Sequence, residues 1–195
     1  LGLEIPLVLN GMQSTHQGIE LDFVANPITT LELNGYIGLG DWTWTKVPNQ
    51  RIVVGEEVFN TNDLYDVNTL IGLPTGAAAQ TTMGLGFHYT GIRSTYVGGR
   101  LNYADRIPVR YTVEDVVDGF ITDEVIKDDF DDYVTFDLYA GRYFDIGEKM
   151  GGRISANVNN VFNVEYTRFA SYFFNQIQRG YGFPRTFSIG LSIDF

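Results

Sequence analysis

Residues Thr186 to Phe195 read TFSIGLSIDF and alternate without a break. Phe187, Ile189, Leu191, Ile193 and Phe195 share one face. Thr186, Ser188, Gly190, Ser192 and Asp194 share the other. A period of two marks a strand with one apolar and one polar side. A single strand of this kind fits a soluble sandwich as well as a membrane barrel. The two differ in how often the pattern repeats and in what the polar face carries.

Upstream, the pattern repeats. Arg153 to Phe162 sets Ile154, Ala156 and Val158 against Arg153, Ser155, Asn157 and Asn159. Tyr133 to Ile146 sets Val134, Phe136, Leu138, Ala140, Phe144 and Ile146 against Thr135, Asp137, Tyr139 and Gly141. Arg142 falls on the apolar side, where a long side chain can snorkel to water near an interface. Thr95 to Tyr103, Thr81 to Tyr89, Thr29 to Thr45 and Gly18 to Ala25 alternate likewise, as does the opening Leu1 to Leu9 with its Pro6. The expectation is about eight strands, each long enough to cross a bilayer at roughly 9–11 residues. Their polar faces hold Arg, Glu, Asp, Asn and Tyr, which suits a wet lumen better than a dry core.

Connector lengths alternate too. Short turns are expected at Asn26-Pro27, Gly91 to Ser94 and Gly147 to Gly151. Long connectors are expected at Lys46 to Ala78, Ala104 to Asp132 and Asn163 to Arg185. Short turns on one side and long loops on the other are a feature of outer-membrane barrels. That parity makes Val67 to Leu73 ordered structure inside a long loop rather than a ninth spanning strand.

Composition agrees. The chain has 195 residues, no cysteine and a formal net charge of −11. Absent cysteine excludes disulfides, thiolate metal sites and cysteine nucleophiles. The acidic balance argues against nucleic acid as a partner. Acid is concentrated between Asp105 and Asp132, where a solvated outer loop outweighs a calcium site because no regular ligand spacing occurs. Mean hydropathy is −0.06, and no apolar run is long enough for a transmembrane helix. A barrel wall keeps mean hydropathy ordinary because only alternate residues meet lipid. The opening residues carry no initiator Met or signal peptide, so a longer parent chain is expected.

Several segments resemble TonB-dependent receptors, the active transporters of the bacterial outer membrane. The tail RTFSIGLSIDF resembles their last strand. SANVNNVFNVEYTRFAS resembles their penultimate strand with its N-L/V-F-N-x-x-Y run, and GYGFPRTFSIGLSIDF carries their Pro-Arg pair before the last strand. STHQGIELDFVANPITTLELNGYIGLGDWTW and GAAAQTTMGLGFHYTG look like further wall strands. The flavour is closest to receptors of the Bacteroidetes. The resemblance implies an all-β transmembrane antiparallel barrel of 22 strands with a plug. Residues 1–195 would be its C-terminal part, with the plug and first strands lying outside this chain. It also implies import of an iron–siderophore complex, haem, cobalamin or a glycan, coupled through TonB by the missing N-terminal region. Implied partners are outer-membrane lipid and the barrel assembly machinery. Some such receptors add a surface lipoprotein, a point that the resemblance leaves open.

Phe187, Ile189, Leu191, Ile193 and Phe195 would then form the assembly signal, against the plainer reading of a last strand that ends in an aromatic. Trp42, Trp44, Tyr172, Phe173 and Phe174 are candidates for an outer ligand vestibule, against membrane-interface girdle or loop packing. Arg179, with Arg100 and Arg153, could hold an anionic ligand or the plug, against pairing with nearby carboxylates. His16 and His88 are far apart in sequence and make no metal site or triad. No catalytic constellation, metal site or cofactor motif is present, so the expectation is a transporter and not an enzyme. The alternative is a self-contained eight-stranded barrel with a structural or adhesive role.

Overall fold

The computed structural model describes residues 10–54, 57–60, 67–76, 78–112, 115–116, 119, 122, 126, 130–147, 150–173 and 176–194. In chain order the strands are β1 (Gln13–Ile28), β2 (Leu31–Lys46), β3 (Arg51–Val54), β4 (Glu57–Asn60), β5 (Thr81–Ile92) and β6 (Thr95–Asp105). They continue with β7 (Val109–Arg110), β8 (Tyr133–Ile146), β9 (Met150–Asn159), β10 (Thr167–Phe173), β11 (Gln176–Tyr181) and β12 (Thr186–Asp194). Seven of them form one sheet in the order β1-β2-β5-β6-β8-β9-β12, every pair antiparallel. This is an up-and-down wall, with each long strand beside the next.

Register carries the alternation across the wall. Leu31, Leu33, Ile37 and Leu39 share a face with Met83, Leu85, Phe87 and Tyr89. That face continues through Val97, Leu101 and Tyr103 to Val134, Phe136 and Leu138. Ile154, Ala156 and Val158 then meet Leu191, Ile189 and Phe187. Many of these side chains stay exposed, among them Leu85, Ile154, Phe187, Ile189 and Leu191. An exposed apolar sheet of this extent needs lipid or a partner to cover it.

Three sequence boundaries shift. The first hairpin turns at Thr29-Thr30 instead of Asn26-Pro27, and Pro27 sits in an irregularity between Ala25 and Ile28. A strand tolerates proline where the ladder is already broken. The second turn tightens to Arg93-Ser94, with Ser94 at φ 54°. The third opens at Gly147, and β9 starts at Met150, earlier than the expected Arg153. Leu1 to Leu9, read as an eighth strand, lies outside the described residues.

All three long connectors leave the same end of the wall, and their described residues hold more regular structure than the sequence announces. The first carries the β3–β4 hairpin and a 3-10 turn at Val67–Leu70. The third folds into the β10–β11 hairpin, which pairs in parallel with β7 from the second connector. Leu70, Leu73, Ile107, Val109, Ile126 and Ala170 are almost wholly buried there, and Val47, Val116 and Phe130 complete the cluster. The described hydrophobic core therefore lies in the connector layer and at its junction with β6, with a two-faced wall below. The acidic second connector contributes several apolar members of that core. Asp115 and Thr112 bond each other reciprocally, with Thr112 Oγ1 to Asp115 Oδ2 at 2.7 Å.

Arg106 binds the core layer to the wall. Its Nε donates to Thr81 Oγ1 at 2.8 Å, and its Nη2 donates to the Gly40 and Gln80 carbonyls, each at 3.0 Å. One guanidinium thus holds residues from β2, from the approach to β5 and from the start of β5.

Candidate functional site

The polar face of the wall and the connector layer above it are where a ligand would meet this chain. Direct cross-strand partners share a face. His16 and Trp42, Glu20 and Gly38, and Arg100 and Asp137 are such partners, so all six residues lie on the polar side. Tyr96, Tyr139 and Tyr143 join them in a ring cluster around His88, whose Nδ1 lies 3.1 Å from the Tyr139 hydroxyl. Tyr139 lies across Gly98, and Tyr96 lies across Gly141. A Cβ at either glycine would enter the ring. These tyrosines therefore lie flat on the wall.

The sequence candidates divide between two places. Trp42 stacks on His16 with ring centroids 6.1 Å apart, beside a recess of about 390 Å³ floored by Gly18, Gly38 and Gly40. Trp44, two residues on, packs against the connector core, and its amide donates to the Leu73 carbonyl at 3.0 Å. Tyr172 packs on that same core from β10. Arg179 lays its guanidinium over the Phe130 ring, 5.0 Å from the centroid. Trp44, Tyr172 and Arg179 thus gather around one cluster, while Trp42 stands apart with His16. Phe173 ends β10, but its side chain, Phe174 and Phe195 lie outside the described residues. Phe187, Ile189, Leu191 and Ile193 line the apolar face of the edge strand β12.

The sequence marks the run at the foot of the third connector as a family motif but gives its residues no role in the site. Asn160 is buried at φ 49°. Its amide N–H donates to Asp137 Oδ1 at 2.8 Å, and its Nδ2 donates to the carbonyls of Val164 and Phe183 at 2.8 and 3.1 Å. Val164 N–H donates back to Asn160 Oδ1 at 2.9 Å. Asn163, at φ 55°, accepts the Arg185 amide at 2.8 Å. Asparagine tolerates the left-handed region and mimics backbone in turns, which is why two of them occur here. Together they hold the outgoing and returning arms of the connector side by side. The N-V-F-N run that carried the resemblance is this clamp.

Above the clamp, the rings of Tyr133 and Tyr166 meet at a 30° tilt with centroids 4.2 Å apart. Two hollows share this pair. One, of about 330 Å³, reaches down to Asn102, Thr135 and Asp137. The other, of about 430 Å³, opens outward past Asp131, Asp132, Glu165 and Arg179. Farther round the connector layer, the Tyr111 hydroxyl donates to the Pro74 carbonyl at 2.7 Å, and burial pushes its pKa up to about 12.

No family model and no curated protein matches the chain. Solved structures do. The ferric preacinetobactin receptor BauA from Acinetobacter baumannii aligns over 93% of this chain and 22% of its own, at 18% identity and TM-score 0.63. The siderophore receptor PiuA from the same organism aligns over 94% and 22%, at 14% identity and TM-score 0.61. FpvA of P. aeruginosa, solved with heterologous pyoverdines and iron, aligns over 93% and 20%, at 15% identity and TM-score 0.52. The chain therefore spans about a fifth of the length of these receptors. Its fold is that of a segment of their transmembrane β-barrel, with one polar and one apolar face and its ordered connectors gathered at one rim.

Proposed function

We propose that this chain is the closing part of the barrel of an outer-membrane import receptor, coupled through TonB by a region outside it. The carrying observation is the alignment of nearly the whole chain with siderophore-receptor barrels. The wall supplies lipid contact on one face and a hydrated lumen on the other. The connector layer, stiffened by its own core, supplies part of the surface that captures a scarce nutrient: an iron–siderophore complex, haem, cobalamin or a glycan. The chain aligns with only about a fifth of each receptor's length, which supports a part of a larger barrel over a self-closed one.

The test is accumulation of labelled nutrient by cells that express the full-length receptor, with and without a collapsed inner-membrane proton gradient. Gradient-dependent accumulation that disappears on deletion of the gene is expected. Equal accumulation under both conditions would leave a passive or structural barrel.

A further inference from the structure

We propose that the trough running from Asp137 past the Tyr133–Tyr166 pair to Arg179 binds a neutral, hydroxyl-rich ligand of the oligosaccharide class; this rests on the import-receptor reading above. The two hollows that share the tyrosine pair are each of ligand size. They lie where the third connector meets the polar face of the wall, at the rim any incoming solute must pass.

Charge disfavours an anionic ligand. Asp131, Asp132, Glu165 and Asp137 line the trough. Among the described lining residues Arg179 is the one cation, and it is engaged over Phe130. A carboxylate or catecholate ligand would meet four carboxylates, of which Asp137 alone has an arginine, Arg100, as its direct cross-strand partner.

The inner half also disfavours a cation. Its one carboxylate, Asp137, already accepts two hydrogen bonds, through Oδ1 from the Asn160 amide at 2.8 Å and through Oδ2 from Asn102 Nδ2 at 3.3 Å. The remaining acids are exposed and solvated, and salt weakens their attraction for a cation and their repulsion of an anion alike, so the trough favours neither sign of charge strongly. A cation site needs a desolvated carboxylate with its oxygens open, and the trough has none among the described residues.

The uncharged groups suit hydroxyls. Asn102 bonds Thr135 and Asn159 bonds Thr186, and each pair keeps further amide and hydroxyl capacity to donate and accept. Tyr133 and Tyr166 supply aromatic surface of the kind that packs against the C–H face of a sugar ring. The clamp at Asn160 holds this wall and the connector carrying Tyr166 in one geometry before any ligand arrives.

The experiment uses the purified full-length receptor in detergent. It is titrated calorimetrically with a panel of neutral oligosaccharides (glucan, mannan, galactan and xylan fragments), a ferric tris-catecholate and an oligolysine. At least one neutral oligosaccharide is expected to bind, and both Tyr166→Ala and Asn102→Ala should weaken it about tenfold, the size expected for losing one stacked ring or one bidentate polar contact. Heat-modifiable migration in gels checks that each variant is a folded barrel, and the wall variant Asn102→Ala carries the test if Tyr166→Ala fails to assemble. Binding of no neutral oligosaccharide, or binding that ignores the folded variants, overturns the proposal. Gradient-dependent uptake of the ferric catecholate without saccharide binding overturns the ligand class and leaves the import reading standing. Saccharide binding with no gradient-dependent uptake of any probe does the reverse.

Discussion

Replacing Leu191 with arginine probes the apolar face where it has least shelter. Leu191 lies on β12 opposite Ile154 and is 66% exposed. The apolar residues of β12 run from Phe187 to Ile193, which is about 20 Å along the strand at ~3.3 Å per residue. A tilt of roughly 40° reduces this to about 15 Å along the membrane normal. Leu191 is one residue from the middle of that span, near the bilayer midplane. Arginine there should cost about 2–4 kcal/mol, against about 0–1 near an interface. At ~1.4 kcal/mol per tenfold, the folding equilibrium falls by roughly 30- to 700-fold. Ser192 faces the other way, opposite Arg153, so Ser192→Arg should cost much less. The assay is urea unfolding of the full-length receptor in lipid vesicles, followed by heat-modifiable migration and tryptophan emission. Equal destabilisation by the two variants would refute the assigned facing, and a harmless Leu191→Arg would remove lipid from that face.

Other perturbations reach the rim and the polar face. Asn160→Ala should destabilise the third connector by about 2–4 kcal/mol, because it strands the partners of three side-chain hydrogen bonds and forces alanine into the left-handed region; Asn160→Gly should recover about 1 kcal/mol of that, read as protease susceptibility of residues 164–183. Gly98→Ala should drive Tyr139 off the wall at a cost of about 1–3 kcal/mol and change the environment of His88, read by tyrosine fluorescence and urea midpoint. The raised pKa of Tyr111 means that the folded connector layer prefers the neutral phenol. Its contribution is complete below about pH 10, the unfolded value, and is lost as pH rises from there through about 12. Tyr111→Phe should remove that alkaline decline, measured as proteolysis of the connectors against pH.

The wall was legible because a period of two survives any choice of partner. Each strand from Gln13 to Asp194 reports its own faces, and antiparallel register then passes that facing to its neighbour. Turn positions were less legible: Pro27 looks like a turn residue, yet it sits in a strand irregularity, and Thr29-Thr30 carries no turn signature. The connector core could not be read at all. Leu70, Ile107, Ile126 and Ala170 come from three separate connectors, and nothing local says they meet. The same holds for the trough. Parity put Thr135 and Asp137 on the polar face, and the family motif flagged the run containing Tyr166, but the 4.2 Å approach of the Tyr133 and Tyr166 rings is a tertiary fact.

The barrel reading is tested most directly by walking a spin label along β5 and β12. The chain has no cysteine of its own, so single cysteines can be introduced without background from it. Accessibility to oxygen, which concentrates in lipid, should peak at Met83, Leu85 and Phe87 and at Ile189, Leu191 and Ile193. Accessibility to a water-soluble nickel chelate should peak at Thr82, Gly84 and Gly86 and at Ser188, Gly190 and Ser192. Two such profiles, out of phase with a period of two, are the expected result. High nickel access on both faces of either strand would contradict a membrane-spanning wall.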